Sequence, residues 1–457
     1  MLNNRSTGLK NKTGLASAFA YGGPVTRASF LIMGLANILS GQAVKGILFL
    51  LLEAAALIFF FMPRGGIYMI SRLASLGDTP QGEVWNEELG VFQYTEGDRS
   101  QLILLYGVAS LFVLVLFFFL WRASVTSGYK AALAKRRGMR PPSFSEDIKS
   151  LFDENIHRLL MTPPTVFLLL FTVLPLVYMM TMAFTDFSRE GDRLVLFNWV
   201  GLDNFISIFR SGSTVGGQFR SVLTWTLVWA FFATVLNFLL GTLLAMLINR
   251  RGLRLKGVWR GILATTIAVP QFVSLLIVRS ALQPQGIVNR LLLDGGIISS
   301  PLPFLTDVTV ARILVIGVNL WIGIPYTILQ VTGVLNNIPK EQYDAARVDG
   351  ASPVKTFMNV TVPYMMFVLT PYLITQFTGN INNFNVIYLL TRGEPMTVGS
   401  SAGGTDLLIT WLYKLSVDQQ KYNLAAVIGI FTFIVLSTVA LISYRNSNSY
   451  KNEEGFK

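Results

Sequence analysis

The stretch Ile338 to Pro363, IPKEQYDAARVDGASPVKTFMNVTVP, is a charged interlude between two long apolar runs, and its reading decides the fold. Pro339 suits the first turn of a helix, where its missing N–H would be unpaired anyway, and Lys340 to Val348 contains no breaker. Gly350 ends that helix, because glycine takes the left-handed conformation without a side-chain clash. Ser352 and Pro353 supply an N-cap and an N1 proline for a second short helix, which Pro363 is expected to close. Two helices this short are marginal alone, so the pair calls for a partner surface, and Ala345, Ala346 and Ala351 are small enough to permit close approach.

The runs on either side place this elbow in a membrane protein. Of 457 residues, 52% are hydrophobic and 14% charged, and the mean hydropathy is +0.53, too apolar for an ordinary soluble domain. The net charge of +12 would fit nucleic acid, but the cations stand beside apolar runs, where they orient a chain in a bilayer. The absence of Cys excludes disulfides, thiolate metal sites and cysteine catalysis. The N-terminus carries no short apolar run with a cleavage site, so no removed signal peptide is expected.

Residues 1–27 are polar and basic (Arg5, Lys10, Lys12, Arg27) and are expected to form a loose cytoplasmic tail. Residues 28–121 form an N-terminal membrane region. Within it, 28–39 is short for a span, so it lies at the interface or packs as a half-helix; 47–62 and 102–121 are spans. The acidic loop between them (Asp78, Glu83, Glu87, Glu88, Glu96, Asp98) is expected outside. Residues 122–158, rich in Lys and Arg and containing Pro141-Pro142, read as a cytoplasmic linker. Residues 159–445 form a core with spans near 160–184, 222–248, 262–282, 313–335, 362–389 and 424–443, each able to cross about 30 Å of hydrocarbon. The basic cluster Arg250, Arg251, Arg254, Lys256 and Arg260 falls on the same side as the linker, the 338–363 loop and the 446–457 tail, so both termini come out cytoplasmic. The fold class is therefore an all-α integral membrane protein with about eight transmembrane helices.

Two spans flanking the loop carry polar stripes, which are costly in lipid and should face the bundle interior. Asn319, Gly323 and Tyr326 share one helix face at i, i+4 and i+7; so do Gln376, Asn380 and Asn383, with Phe384 adjacent and Tyr372 one turn earlier. Neutral amides, hydroxyls and rings are what a sugar needs, although interhelical hydrogen bonding would use the same groups.

Two resemblances sharpen this. Asp344-Ala345-Ala346, Asp349-Gly350-Ala351, Phe357 and Val362-Pro363 resemble the coupling-helix loop of ABC importer membrane subunits, which docks into a cytoplasmic ATPase. That resemblance makes Tyr343, Asp344, Ala345, Ala346, Asp349, Gly350, Ala351, Phe357 and Pro363 the expected coupling residues. Asp344 stands where the usual acid is glutamate. The runs NLWIGIPY (319–326), QFTGNINNF (376–384), LLTRGEP (389–395) and AGGTDLL (402–408) resemble the large membrane subunit of maltose-type importers. This implies a six-helix permease core behind two N-terminal helices. It also implies a mid-membrane sugar site of Asn319, Ile322, Gly323, Tyr326, Gln376, Gly379, Asn380, Asn383 and Phe384, to which the polar stripe adds Tyr372. Gln376 and Gly379 depart from the family pattern, which leaves the sugar's size and linkage open. The expected partners are a second permease subunit, two ATPase subunits that hold ATP and Mg, an extracellular sugar-binding protein received by the outer loops 283–308 and 392–421, and an oligosaccharide, maltodextrin first.

No GxxxxGK[ST] phosphate loop occurs, so ATP hydrolysis belongs to another polypeptide. The lone His157 makes neither a metal site nor a triad by itself. Glu53 reads as a structural partner or as protonated packing, and Arg279 as snorkelling towards the outer interface. An ion-coupled sugar transporter is the alternative function; it would place acids or His within spans, where only Glu53 is available. A membrane-embedded enzyme would need a catalytic cluster, and none is visible.

Overall fold

Seven helices among the described residues are long and apolar enough to cross a bilayer: Ala43–Phe61, Ser100–Arg136, Ile156–Met182, Thr214–Asn249, Val308–Asn337, Pro353–Leu390 and Tyr422–Arg445. Two further apolar helices, Lys256–Ala268 and Gln271–Ala281, meet at 89° across Val269 and Pro270, the geometry of a broken span or a re-entrant loop. Proline lacks the N–H that would continue the ladder and pushes the residue before it out of the helical region. The computed structural model describes residues 14–80, 82–95, 97–210, 212–250 and 254–446; Arg5, Lys10, Lys12, Glu96, Arg251 and the tail from 447 lie outside the described residues. The chain divides into two compact units at Val200 and Gly201. The Ile156–Met182 helix therefore packs with the first unit, although the charge pattern groups it with the core from 159.

In the first unit, the expected tail is helical over Leu15–Tyr21 and Pro24–Ala28. Ala18 is buried with Val125 and Tyr129 of the 100–136 helix, and Leu15 packs beside them. The apolar face spans barely two turns, too short for its period to register in the sequence. Residues 28–39 do not span; they turn through Leu35–Leu39 and lie against the same long helix. Trp121 Nε1 donates to the Phe30 carbonyl at 2.9 Å, Gly34 N–H to Ser124 Oγ at 2.9 Å, and Lys135 Nζ to the Leu39 carbonyl at 2.8 Å. Residues 122–136 thus continue a helix rather than begin a linker. Glu53 accepts the Met33 N–H at 2.8 Å, which gives this intramembrane carboxyl a backbone partner. The acidic loop between the first two spans is an antiparallel hairpin, Gly82–Asn86 with Val91–Thr95, and buried Asp98 pairs with Arg72.

In the second unit, three long helices, Thr214–Asn249, Val308–Asn337 and Val362–Ile381, pack together around two apolar layers. One layer holds Trp225, Trp229, Ala233, Val315, Ile381 and Ile387; the other holds Ala245, Ile248, Ile328, Val331, Met365 and Leu369. Along each helix the segment between these layers carries polar residues, among them Thr234, Asn237, Asn319, Tyr372 and Gln376.

The 338–363 elbow forms largely as read. Pro339 is the N-cap of Lys340–Val348 rather than its first residue, Gly350 is left-handed at φ +66°, and Ser352 Oγ caps Lys355 N–H at 3.3 Å. The second helix is not short, however. Pro353–Thr356 runs through a π turn, Phe357–Thr361, into Val362–Ile381, so Pro363 closes nothing. The wider turn takes up the register change at the point where proline cannot donate.

Substituting Glu53→Leu leaves the buried Met33 N–H without its acceptor. The expected cost is about 1–3 kcal/mol, read as a lower thermal midpoint of the purified protein; an unchanged midpoint would show that this bond contributes nothing.

Candidate functional site

The polar layer of the second unit encloses a cavity of about 270 Å³. Of the expected sugar-site residues, Asn319, Ile322, Gly323, Tyr326, Tyr372, Gln376, Asn380 and Asn383 line it. Gly379 and Phe384 are not among the lining residues. The Gly379 Cα faces open space, and the Phe384 ring stacks on Tyr388 with centroids 4.8 Å apart.

Several groups are spoken for. Asn380 Nδ2 donates to Thr234 Oγ1 at 3.0 Å, and the Asn380 carbonyl accepts Trp229 Nε1 at 3.0 Å. Asn383 Oδ1 caps the Phe384–Leu390 helix by accepting Val386 N–H at 3.3 Å, and its Nδ2 reaches Asn380 Oδ1 at 3.4 Å. These two amides hold open the break between the helices. Gly323 permits the close approach that shapes the wall, since a Cβ there would stand 2.7 Å from Asn237 Oδ1.

Sequence reasoning missed eight lining residues, five of them polar: Thr234, Asn237, Gln271, Thr327 and Gln330. Thr234 and Asn237 lie at i and i+3 in an otherwise apolar run, a signal the stripes on the neighbouring spans overshadowed. Asn237 Nδ2 donates to the Ala233 carbonyl at 2.8 Å, while its buried Oδ1 has no protein partner and is available to a hydroxyl donor.

The expected coupling residues divide between two concavities. Ala345, Ala346, Asp349, Ala351 and Pro363 line a groove of about 710 Å³; Tyr343, Asp344, Ala351 and Phe357 line a cavity of about 1140 Å³ beneath the elbow. Tyr343 OH lies 3.1 Å from Thr361 Oγ1 and ties the short helix to the long one. Asp344 is exposed with Arg347 3.6 Å away, and the elbow presents Val348 and Val354 at 87% and 72% exposure.

Beyond the polar layer, the 389–408 segment folds into a knot around Asp406. Its carboxylate accepts from Lys414 Nζ and Gly403 N–H, both at 2.7 Å, and from Thr410 Oγ1 at 2.9 Å. Trp225 Nε1 donates to the Thr405 carbonyl at 3.2 Å, and Arg312 lies over the Trp225 ring while donating to the Gly404 carbonyl at 2.8 Å. Burial pushes the Asp406 carboxyl above the ordinary carboxylate range, against the opposing pull of Lys414 and the two hydrogen bonds. His157 is exposed, and no group of three His, Cys, Asp or Glu side chains able to hold a metal occurs among the described residues.

Comparison with known proteins bears on this geometry. Residues 237–449 match the model of the binding-protein-dependent transport system inner membrane component family. The chain is 34% identical over 429 residues to the galactooligosaccharides transport system permease protein of Bacillus subtilis (strain 168), covering 93% of this chain and 97% of that one. It is 31% identical to the maltodextrin transport system permease protein of the same organism, covering 93% and 95%. The crystal structure of a bacterial ABC transporter involved in the import of the acidic polysaccharide alginate aligns with a TM-score of 0.52 at 22% identity, over 65% of this chain and 96% of that chain, which is a likeness of fold.

Lys414→Met would strand a buried carboxylate, at a cost on the order of 3–5 kcal/mol in thermal stability. A group whose pKa is raised by folding contributes stability at low pH and loses it as the pH rises through the folded value. Removing Lys414 raises that value further, so the variant should fall further below the parent at neutral than at acid pH. Adding Asp406→Asn should recover part of the loss, and a pH-independent deficit would contradict this account.

Proposed function

Because this chain belongs to the family of binding-protein-dependent transport system inner membrane components, we propose that its polar layer is the substrate site of an ATP-driven oligosaccharide importer. The chain is a permease subunit, a multi-pass protein of the plasma membrane. One observation carries the substrate class. The cavity is lined by seven amides (Asn237, Gln271, Asn319, Gln330, Gln376, Asn380 and Asn383) and by Tyr326 and Tyr372, with no Asp, Glu, Lys, Arg or His. Neutral groups that both donate and accept, beside aromatic rings, suit an uncharged polyhydroxyl ligand. Maltodextrin is the first choice, with other α- or β-linked oligosaccharides, galactooligosaccharides included, beside it; the relatives' names support that class. An ion-coupled transporter is disfavoured, because the cavity offers no titratable acid or histidine and Glu53 is engaged with the Met33 N–H.

In the proposed assembly a second permease subunit completes the pore and two cytoplasmic ATPase subunits hold ATP and Mg. An extracellular binding protein delivers the sugar to the loops around the Asp406 knot. Both termini lie in the cytoplasm, on the side of the elbow, as the basic loops favour. Val348 and Val354, bare on the elbow, dock against the ATPase. ATP and the loaded binding protein both favour the outward-facing state, and each shifts the equilibrium only by its differential affinity for that state. Hydrolysis resets the pore.

The test is ATP hydrolysis and sugar uptake by the reconstituted assembly with its binding protein, using maltodextrins and galactooligosaccharides. Gly350→Val, which forces a β-branched residue into the left-handed region, and Asp344→Lys should each abolish sugar-stimulated hydrolysis. Asn319→Leu should lower uptake by about tenfold, the factor that one lost buried hydrogen bond of about 1.4 kcal/mol produces. Uptake driven by an ion gradient without ATP would overturn the reading.

A further inference from the structure

The cavity is small for its proposed ligand, since sites for drug-sized molecules commonly occupy about 300–1,000 Å³, against about 270 Å³ here. An oligosaccharide longer than this wall accommodates continues beyond it. Two helices lead away from the cavity. Gln271 and Asn383 both line it, and each stands at the start of a helix, Gln271–Ala281 and Phe384–Leu390, that packs against the other. At 1.5 Å per residue, Arg279 lies about 12 Å along the first and Tyr388 about 7 Å along the second. Because the elbow lies at the opposite end of the continuous 353–390 span, this is the far side of the cavity from the elbow.

Three rings meet there. Phe384 and Tyr388 stack at 4.8 Å with their planes 20° apart, and Tyr413 stands edge-on to both at 5.1 Å. Arg279 stands half-buried near the end of the neighbouring Gln271–Ala281 helix, which packs against the helix that carries Phe384 and Tyr388. On the 384–390 helix, Val386, Ile387 and Leu390 are buried in the core, whereas Phe384 and Tyr388 at i and i+4 share a different flank and stay half-buried. Rings packed only for stability would sit with the core-facing set.

We propose that Phe384, Tyr388 and Tyr413, with Arg279 beside them, form a second sugar subsite, where ring faces stack against the pyranose units of an oligosaccharide whose end occupies the cavity. The phenol hydroxyls and the guanidinium supply hydrogen bonds to sugar hydroxyls at the rim. The subsite rests on the oligosaccharide reading and sharpens it, because it selects for chain length rather than for the sugar alone.

The experiment uses the full reconstituted importer with saturating binding protein and compares initial uptake of maltose through maltohexaose and of the matching galactooligosaccharides. Tyr388→Ala and Tyr413→Ala should each lower uptake of the tetra- to hexasaccharides about fivefold and leave the disaccharides within about twofold. Tyr388→Phe and Tyr413→Phe, which keep the rings, should recover most of the long-chain uptake. An equal loss at every length, accompanied by a lower thermal midpoint, would assign the rings to packing and overturn the subsite; so would no change at any length. If the unsubstituted assembly takes up neither series, the oligosaccharide reading falls and the subsite with it.

Discussion

Amides in the middle of a bilayer must be hydrogen-bonded or must face a cavity, because hydrocarbon offers them nothing. The second unit of this protein is arranged around that constraint. Its three long helices put apolar layers above and below, one built on Trp229 and Ile387 and the other on Val331 and Met365, and leave the polar residues between them. Asn380 pairs with Thr234 and Trp229 across helices, and Asn383 caps a helix end. Interhelical hydrogen bonds and a cavity are therefore both present in one layer, and Asn380 takes part in both. Asn380 mostly holds the wall together, while Asn237, with its unpartnered oxygen, and Gln376 face the space it encloses.

The continuity of one helix connects the parts of this unit. From Pro353 to Tyr372 is nineteen residues, about 28 Å of helical rise, and the helix runs on to Ile381. A displacement of the elbow is thus delivered to the cavity by a stiff element rather than through loops. The π turn at Phe357–Thr361 is the one irregularity near the elbow, and Tyr343 is bonded to its last residue. At the other end the Asp406 knot anchors the 389–408 segment to Trp225 and Arg312.

Much of this was legible without coordinates, for identifiable reasons. The elbow follows from local chemistry, since Gly350 is confined to its role by backbone sterics and Ser352-Pro353 by capping. Helix faces follow from period, which brought Asn319, Tyr326, Gln376 and Asn380 to one cavity. The expectations that did not survive depended on what lay outside the local window. Pro363 reads as a terminator, yet a π turn carries the helix past it. Phe384 reads as a cavity ring, yet the helix break at Asn382 and Asn383 turns it toward Tyr388 and Tyr413.

The sequence by itself determined that this chain crosses a membrane, where most of its spans fall and which stretch bends sharply between two spans. Those depend on transfer free energy, charge placement and local backbone sterics, all of which are sums over neighbours in the chain. Only the tertiary structure decided that Thr234 and Asn237 join the cavity, that the N-terminal residues fold onto Trp121 and Val125, and that Lys414 finds Asp406. Each of those is a pairing between distant segments, set by how helices pack rather than by what any one of them contains.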